Sequence, residues 1–294
     1  MKNPIALGVD IGGSHITAAL INLETREIIS SSFKRQMVNS QEEAEKIIAD
    51  WCAVISESFS NINSPSRRIG IAMPGPFDYE NGISLMHDQD KFNSLYKLNI
   101  KERLSSCLGV PRENIRFTND AVSFLLGEVF CGSVRGYNRV LGLTLGTGLG
   151  SAIYINHNAE DADLWNSDFK EGIAEDYMSG RWFVKRYAEL TGNMVKGVKE
   201  LLQVSDSKHY IKQIFSEFAE NLAAFISPLV KKYDMEAVVI GGNISNAFEL
   251  FLPELKVFLD KNQIKAVLKI ASLKEDASLV GAVSFWEDSY LQPM

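Results

Sequence analysis

Apolar residues along the chain follow two periods, which together predict alternating strands and helices. Short apolar runs and two-residue alternation predict strands at 5–10, 15–21, 68–73, 140–145, 151–155 and 236–240. Helical spacing predicts helices at 41–60, 99–108, 121–131, 173–191, 208–232, 246–260 and 277–287. Since hairpins are followed by helical crossovers, the pattern predicts an α/β protein in which each half has a mixed sheet flanked by helices.

One segment occurs twice in the chain, as residues 7–22 and again as residues 141–156. Aligned without a gap, the copies share a leucine, two glycines, an alanine, an isoleucine and an asparagine. Each copy is typical of a β-hairpin with a polar, glycine-containing tip. A chance match between two glycine-containing strands is the alternative. Under duplication, residue 10 is equivalent to residue 144, and both tips present backbone N–H groups that can bind phosphate.

The two glycine loops lack the known signatures of other nucleotide sites. Residues 146–150 miss the third glycine of a dinucleotide fingerprint and no helix follows them, which excludes a Rossmann site. The chain contains no Gly-Lys-Ser/Thr, which excludes a P-loop. A plain tight turn remains the alternative for each loop. Asp10 favours phosphate binding, because a carboxylate beside such a loop needs a cation, and Mg²⁺ is held through waters and one or two carboxylates.

A third pair of glycines, Gly241 and Gly242, ends an apolar strand before a helix. Ligands bind at such strand ends, so this pair is a candidate contact for adenosine, and a plain strand–turn–helix connection is the alternative. Gly75 lies in another turn, Met73-Pro-Gly-Pro76, which by itself indicates only a rigid turn.

Asn119 and Asp120 stand where a short extended run meets the helix predicted at 121–131. Capping of that helix is the simple interpretation of this pair. Phosphoryl transfer to a hydroxyl also needs a carboxylate that takes the proton of the acceptor, and Asp120 is the candidate for that role.

Composition narrows the class of protein. The 294 residues carry a formal net charge of −7 without a basic run, which disfavours nucleic acid as a partner. Three widely spaced cysteines indicate thiols in a reducing compartment, and no leader or membrane-spanning run is evident, so a cytoplasmic protein is expected. The length favours two domains, 1–118 and 119–294, with the first completed by the C-terminal helix near 277–290.

Six motifs in order give the chain a resemblance to the ROK family of sugar kinases and sugar-responsive repressors, within the actin-like superfamily. They are Asp10-Ile-Gly-Gly-Ser14, Met73-Pro-Gly-Pro76, Thr118-Asn-Asp-Ala121, Leu145-Gly-Thr-Gly-Leu-Gly150, Val239-Ile-Gly-Gly-Asn243 and Glu275-Asp-Ala-Ser-Leu-Val-Gly-Ala282. The resemblance implies two actin-like (ribonuclease H-like) domains with the active site in the interdomain cleft.

The resemblance also implies ATP and Mg²⁺ as cofactors and assigns roles to residues of this chain. Asp120 is the expected general base, and Asp10 the expected ligand of Mg²⁺ through water. The expected substrate contacts are Asn119, Glu175 and Gly75. The expected nucleotide and phosphate contacts are Gly12, Gly13, Ser14, Gly146, Thr147, Gly148, Gly241 and Gly242.

The chain departs from the family pattern after Gly150. The family usually has a Gly-Glu-x-Gly-His segment and a run of zinc-binding cysteines here, whereas residues 157–171 contain one histidine and no cysteine. Since a structural zinc needs four ligands, no zinc is expected. Glu175 is the one sugar-binding carboxylate of the family that is retained beyond this point. Whether His157 or Trp165 contacts a substrate stays open.

The expected function is transfer of the γ-phosphoryl group of ATP to a hydroxyl of a hexose or amino sugar, with the sugar left open. One alternative is a sugar-sensing regulator, although only nine residues precede Asp10, too few for a DNA-binding domain of its own. Another alternative is a non-catalytic sugar-binding or scaffold protein. The family resemblance and the frequency of closed dimers make a homodimer the expected assembly.

Overall fold

The protein folds into two compact units, seen in a computed structural model that describes residues 4–60, 67–88, 91–204 and 208–287. The first unit takes in the described residues of 1–131 and 275–294, and the second those of 132–274. The chain therefore leaves the first unit, builds the whole of the second and returns to complete the first.

A mixed six-stranded sheet forms the centre of the first unit. Its strands are β1 (Ile5–Ile11), β2 (His15–Asn22), β3 (Glu27–Ile28), β4 (Lys34–Met37), β5 (Ile69–Met73) and, after a small separate hairpin of β6 (Phe77–Asp78) and β7 (Ile83–Ser84), β8 (Ile115–Asn119). The order is β3-β2-β1-β5-β8, and β4 also pairs with β2. The hairpin β1–β2 is antiparallel, while β1, β5 and β8 run parallel.

Helices cover this sheet with apolar faces. They are α1 (Ala44–Phe59), α2 (Ile100–Leu108), α3 (Asp120–Phe130) and, near the end of the chain, a helix over Asp276–Ser284 that is named α9 below. Buried side chains of β1, α1 and the connection before α2 form the core, including Val9, Trp51 and Phe92. Trp51 meets the ring of Phe92 edge-on, with the ring centroids 5.4 Å apart.

The second unit repeats the architecture of the first. Its strands are β9 (Arg139–Leu145), β10 (Leu149–Ile155), β11 (Asn158–Asp161), the short pair β12 (Asp168–Phe169) and β13 (Gly172–Ile173), then β14 (Ala237–Gly241) and β15 (Val267–Ile270). Its helices are α4 (Ala174–Met178), α5 (Gly180–Thr191), α6 (Val198–Leu201), α7 (Lys208–Tyr233) and α8 (Phe248–Lys261), and α9 (Asp276–Ser284) follows in the first unit. A cluster of buried phenylalanines packs α5, α7 and α8 together, with Phe218 between Phe183 and Phe251.

The two sheets match strand by strand. The second sheet has the order β11-β10-β9-β14-β15, with an antiparallel hairpin followed by parallel strands as in the first. Asp10 pairs with Ala72 on the neighbouring parallel strand, and Thr144 pairs with Gly241 in the same way. This shared register makes residues 10 and 144 equivalent, in agreement with the internal repeat.

Helix α9 approaches the rest of the first unit at backbone distance. A methyl group added at Gly281 would lie 1.7 Å from the carbonyl oxygen of Ser123, and one at Gly127 would lie 2.1 Å from the carbonyl oxygen of Ala277. Gly70 on β5 shows the same constraint, since a methyl group there would lie 1.7 Å from the carbonyl oxygen of Ala282. Only glycine fits these positions, because no flexible side chain is present that could move aside.

Arginines hold the segment that follows α9. The guanidinium of Arg116 lies 4.2 Å from the ring centre of the buried Trp286, a cation–π contact. Arg26 donates hydrogen bonds to the carbonyl oxygen of Phe130 at 2.8 Å and to Glu287 at 2.6 Å. The segment after α9 is thus tied to Arg116 on β8 and to Arg26 in the turn between β2 and β3.

Several details differ from the sequence prediction. The polar edge strands β4 and β11 were not predicted, because runs such as Lys34–Met37 lack the apolar alternation of a half-buried strand. The helix predicted at 173–191 is two helices, separated at Ser179. Helix α3, which the predicted boundary assigns to the second domain, lies in the first unit because it packs against α9.

The expectation of three unpaired thiols is wrong for two of the cysteines. Cys52 on α1 and Cys107 on α2 form a disulfide, with 6.5 Å between their Cα atoms. The two residues are 55 positions apart, so their pairing depends on the packing of α1 against α2, which the spacing of cysteines alone does not encode. No helix within the described ranges is long and apolar enough to cross a membrane.

We predict that Gly281→Ala strongly destabilises the protein. The added methyl group would force α9 away from α3, and overpacking at such a contact costs about 3 kcal/mol of unfolding free energy or more. Urea unfolding followed by circular dichroism measures the loss. Gly197→Ala is the matched control, because no heavy atom lies within 4 Å of a methyl group added there. Equal midpoints for Gly281→Ala and the control would contradict the backbone contact.

Candidate active site

The first glycine loop joins β1 to β2 and leaves two successive backbone N–H groups unused. Gly12 closes the turn by donating its N–H to the carbonyl oxygen of His15 at 2.9 Å. No hydrogen bond between described residues uses the N–H group of Gly13 or of Ser14. Adjacent free N–H groups at a turn form an anion-binding nest. The N–H of Gly12 is engaged within the turn, and the phosphate contacts expected at Gly12, Gly13 and Ser14 stay predictions.

The second glycine loop, between β9 and β10, repeats this pattern position by position. Gly146 donates its N–H to the carbonyl oxygen of Gly148 at 3.0 Å and thereby closes the turn, as Gly12 does in the first loop. Among the described residues, no hydrogen bond uses the N–H of Thr147 or of Gly148. The N–H of Gly146 is thus also engaged within its turn, and the contacts expected at Gly146, Thr147 and Gly148 stay predictions.

The helices α4 and α5 fix the second loop from one side. The carboxylate of Glu175 accepts a hydrogen bond from the N–H of Leu149 at 3.0 Å, and a methyl group added at Gly148 would lie 2.5 Å from the same carboxylate oxygen. Gly180 donates its N–H to the carbonyl oxygen of Gly146 at 2.7 Å. The structure therefore brings Glu175, predicted as a substrate contact, against the predicted phosphate loop of the same unit.

Glu175 is held on its other side by an arginine that the sequence analysis did not single out. Its second carboxylate oxygen accepts a hydrogen bond from Arg181, and only 19% of the side-chain surface of Glu175 is exposed. The backbone N–H of Glu175 donates to the carbonyl oxygen of Trp165 at 2.9 Å. The loop before α4 thus positions Glu175 by hydrogen bonds.

The third glycine pair lies directly beside the second loop. Gly241 pairs with Thr144, and Gly242 has a φ of 81°. A methyl group at Gly242 would lie 2.4 Å from the carbonyl oxygen of Leu145. Gly242 therefore meets both conditions that demand glycine, a left-handed backbone and a close neighbouring chain. The predicted adenosine motif and the second phosphate motif are neighbours within this unit.

Asp10 stands at the end of β1 in an environment that disfavours its charge. Burial, and then the negative charge of Asp120, raise the pKa of Asp10 from 3.8 to about 7; Arg35 opposes the rise and Glu275 adds to it. Arg35 and Glu275 form an ion pair with 2.5 Å between nitrogen and oxygen. The structure thus brings together Asp10 and Asp120, predicted independently, and adds two charged residues that the sequence analysis missed as members of this cluster.

The surplus of negative charge around Asp10 fits a hydrated divalent cation. Asp10, Asp120 and Glu275 outnumber the single arginine in this cluster. No three His, Cys, Asp or Glu side chains converge into a metal-ion site within the part of the chain that the structure describes. The donors therefore suit Mg²⁺ held mainly by water, which needs only one or two carboxylates. The expected absence of zinc stays a prediction.

Asn119 and Asp120 begin α3, and Asn119 caps it. The side-chain oxygen of Asn119 accepts hydrogen bonds from the N–H groups of Ala121 at 2.8 Å and Val122 at 3.1 Å. The capping interpretation is correct for Asn119. Asp120 follows on the first turn with an exposed side chain, so its carboxylate is accessible to an external hydroxyl.

Tyr79 connects Asn119 to the predicted sugar-side turn. Its hydroxyl donates to the carbonyl oxygen of Met73 at 3.1 Å and accepts from the side-chain nitrogen of Asn119 at 3.3 Å. A methyl group added at Gly75 would lie 3.2 Å from the same hydroxyl. The sequence analysis does not single out Tyr79. Its position shortly after the Met73–Pro76 turn is the one local feature that could have indicated a role for it.

The two residues left open by the sequence lie in the second unit. His157 belongs to the turn between β10 and β11, and its ring nitrogen lies 3.4 Å from the hydroxyl of Tyr154. The ring of Trp165 is 45% exposed and donates its N–H to Asp163 at 2.8 Å. An exposed ring anchored through its N–H can stack on a sugar. No contact with substrate is assigned to either residue.

The chain is similar to known proteins over most of its length. The family model described as ROK family matches residues 6–161 and 170–289. The omitted residues 162–169 lie within the segment that departs from the family pattern. Glucokinase of Thermotoga maritima is 24% identical over 314 aligned positions, which cover 95% of this chain and 96% of that protein. N-acetyl-D-glucosamine kinase of Photobacterium profundum is 25% identical over 308 positions, covering 95% and 97%.

A solved structure supports the fold. The ROK family glucokinase from Streptomyces griseus, in complex with glucose and AMPPNP, has a TM-score of 0.73 and 24% identity, and the match covers 96% of this chain and 98% of that one. The predicted fold class, with actin-like α/β units, is confirmed by this likeness.

We predict that Asp10→Asn stabilises the protein in a pH-dependent way when a chelator is present. The raised pKa means that the folded state keeps a proton that the unfolded chain releases from about pH 4 upward, so stability falls as the pH rises towards 7. The variant lacks this loss, so its free energy of unfolding should exceed that of wild type by about 4 kcal/mol at pH 8 and by clearly less at pH 5. Urea titrations at both pH values measure it, and an equal difference at each would count against the raised pKa.

Proposed function

This chain belongs to the ROK family, and from that premise we propose that it is an ATP-dependent sugar kinase that phosphorylates a hydroxyl of a hexose or amino sugar. The single observation that carries the proposal is the pair of glycine loops, each with two free N–H groups at equivalent positions. The names of the relatives, a glucokinase and an N-acetylglucosamine kinase, support sugar phosphorylation and leave the sugar itself open.

The phosphates of ATP bind to the two loops in this proposal. Gly13 and Ser14 donate N–H hydrogen bonds from one loop, and Thr147 and Gly148 from the other. Nests of this kind suit phosphate oxygens, and fixed dipoles of this kind also stabilise charge that develops during transfer. Gly241 and Gly242 contact the adenosine.

Asp10 holds Mg²⁺ through water in this proposal, and the charge surplus around its carboxylate supports the assignment. When bound, Mg²⁺ neutralises charge on the transferred phosphoryl group and its leaving oxygen. The protein provides for this chemistry by holding the backbone of Asp10 in the pairing of β1 with β5.

Asp120 acts as the general base. The sugar hydroxyl gives its proton to the Asp120 carboxylate while its oxygen forms a bond to the γ-phosphorus, and the bond between that phosphorus and the bridging oxygen of ATP breaks to release ADP. The capping bonds of Asn119 support this role, because they fix the backbone from which Asp120 projects.

The sugar contacts of the proposal are Asn119, Gly75 and Glu175. Asn119 and the Gly75 turn are linked through Tyr79, so the three form one supported surface in the first unit. Glu175, which lies in the second unit, is the third residue that the proposal assigns to sugar binding. A homodimer, a cytoplasmic location and the absence of zinc and of nucleic acid belong to the proposal as predictions.

We predict that Asp120→Asn retains sugar binding and loses turnover. Removal of the base without a change of shape should lower kcat by about 100-fold or more, while the dissociation constant of the sugar stays within a few fold. The measurement is ADP release with Mg-ATP against hexoses, N-acetylhexosamines and rarer aldoses, with sugar binding followed by calorimetry. Asp50→Asn on α1 is the control, because this residue pairs with Lys46 and lies outside the proposed site.

The same set of sugars distinguishes a kinase from a sugar sensor or a scaffold protein. Turnover with one sugar identifies the substrate. Sugar binding without turnover in wild type would favour a sensor or scaffold, and full activity of Asp120→Asn would remove Asp120 from the mechanism.

We predict that Glu175→Gln raises the KM of the sugar and that of ATP together. The amide oxygen can still accept from Leu149, but the charge that holds Arg181 is lost, so both the substrate contact and the support of the second loop weaken. Steady-state kinetics with each substrate varied in turn should give increases of several fold, about 1 kcal/mol for each. Glu189→Gln, which changes a more exposed carboxylate of the second unit, is the control. A change confined to the sugar KM would mean that Glu175 does not support the phosphate loop.

A further inference from the structure

Lys91 lies across the first glycine loop. A methyl group added at Gly13 would lie 3.3 Å from Cδ and 3.8 Å from Cβ of Lys91. A distance of 3.3 Å is shorter than most contacts that a Cβ atom makes, so a side chain at position 13 would displace the lysine. The aliphatic stem of Lys91 therefore packs on the loop, and its amino group lies two bonds beyond the Cδ atom.

The residue after Lys91 anchors the lysine to the core. Phe92 is fully buried, meets Trp51 edge-on and donates its N–H to the carbonyl oxygen of Ser40 at 2.9 Å. Because Phe92 is fixed in this way, the backbone from which Lys91 projects is fixed as well. Lys91 is half-buried and does not behave as a surface lysine free to sample all its rotamers.

The amino group of Lys91 has no partner among the described residues. Two other lysines of the first unit do form ion pairs, Lys34 with Glu57 and Lys46 with Asp50. Within the described ranges no hydrogen bond or ion pair joins Lys91 to another side chain. The position thus combines a partly buried positive charge with the two unused N–H groups of Gly13 and Ser14.

Carboxylates outnumber cations around Asp10. Among the described residues, the charges that shift the pKa of Asp10 are the carboxylates of Asp120 and Glu275 and the guanidinium of Arg35, which is paired with Glu275. A polyphosphate at this loop therefore meets an excess of carboxylates unless further positive charge is supplied. A lysine beside the loop supplies it and donates hydrogen bonds to phosphate oxygens.

We propose that Lys91 binds the terminal phosphates of ATP at the Gly13–Ser14 loop and stabilises their charge during transfer. The inference rests on the proposed function, which it deepens by adding a catalytic residue from outside the six sequence motifs. Gly13 then has two roles, because it presents its N–H to phosphate and leaves room for the stem of Lys91.

A purely structural role is the rival interpretation, since lysine stems also cover apolar surface without using their charge. Lys91→Met keeps the stem and removes the charge, whereas Lys91→Arg keeps the charge. Lys97→Met is the matched control, because Lys97 lies on the same connection with its amino group over the ring of Tyr96. Thermal unfolding of each variant verifies that the fold is intact.

The test is binding of AMPPNP and of AMP to the full chain in Mg²⁺ buffer, measured by calorimetry beside steady-state kinetics. We expect Lys91→Met to weaken AMPPNP binding about tenfold or more, to leave AMP binding unchanged and to lower kcat. Lys91→Arg should restore most of the loss, and Lys97→Met should match wild type.

The remaining outcomes distinguish a failure of the role of Lys91 from a failure of the proposed kinase. Unchanged AMPPNP binding by Lys91→Met, or equal losses for AMPPNP and AMP, would overturn the role of Lys91, and so would a wild type that binds no AMPPNP. A wild type that binds AMPPNP with the expected dependence on Lys91 but phosphorylates no sugar would overturn the proposed kinase and leave the phosphate contact in place.

Discussion

The backbone contact between α9 and its neighbours is the constraint on which the first unit depends. Gly281, Gly127 and Gly70 allow main chains to meet at distances that no side chain tolerates. This contact fixes α3 against β5 and thereby fixes the first turn of α3, where Asn119 and Asp120 lie. It also delivers Glu275, just before α9, to the electrostatic surroundings of Asp10. The geometry of the acidic cluster is therefore set by packing between main chains.

The two glycine loops show how one local structure can serve two different chemical settings. In both, the first glycine closes the turn with its own N–H and the next two residues leave theirs unused. The surroundings differ, because residue 10 is an aspartate whose charge is disfavoured and residue 144 is a threonine. The second loop meets the carboxylate of Glu175 instead, through the N–H of Leu149. The carboxylate near the first loop is therefore on the preceding strand β1, whereas the carboxylate near the second loop comes from α4.

The sequence predicts the strands and helices with strong apolar periodicity, the duplicated hairpin and the residues at the ends of strands. It does so because these features are local and follow from a period of two or of 3.6 residues. The short polar strand Lys34–Met37 has no such period and forms only because β2 offers an unpaired edge. Local patterns also do not predict the roles of Tyr79, Arg181 and Lys91. Their contacts join residues far apart along the chain, so no local pattern marks them.

The discontinuous first unit affects the order in which the protein can fold during synthesis. Proteins are made from the N-terminus, and domains generally fold as units once their residues are available. All of 132–274 leaves the ribosome before α9 does, so the second unit can reach its final structure first. Until α9 arrives, Gly70 and Gly127 lack the backbone neighbours that they meet in the folded protein. The first unit therefore stays incomplete until the end of synthesis, whereas the second is complete earlier.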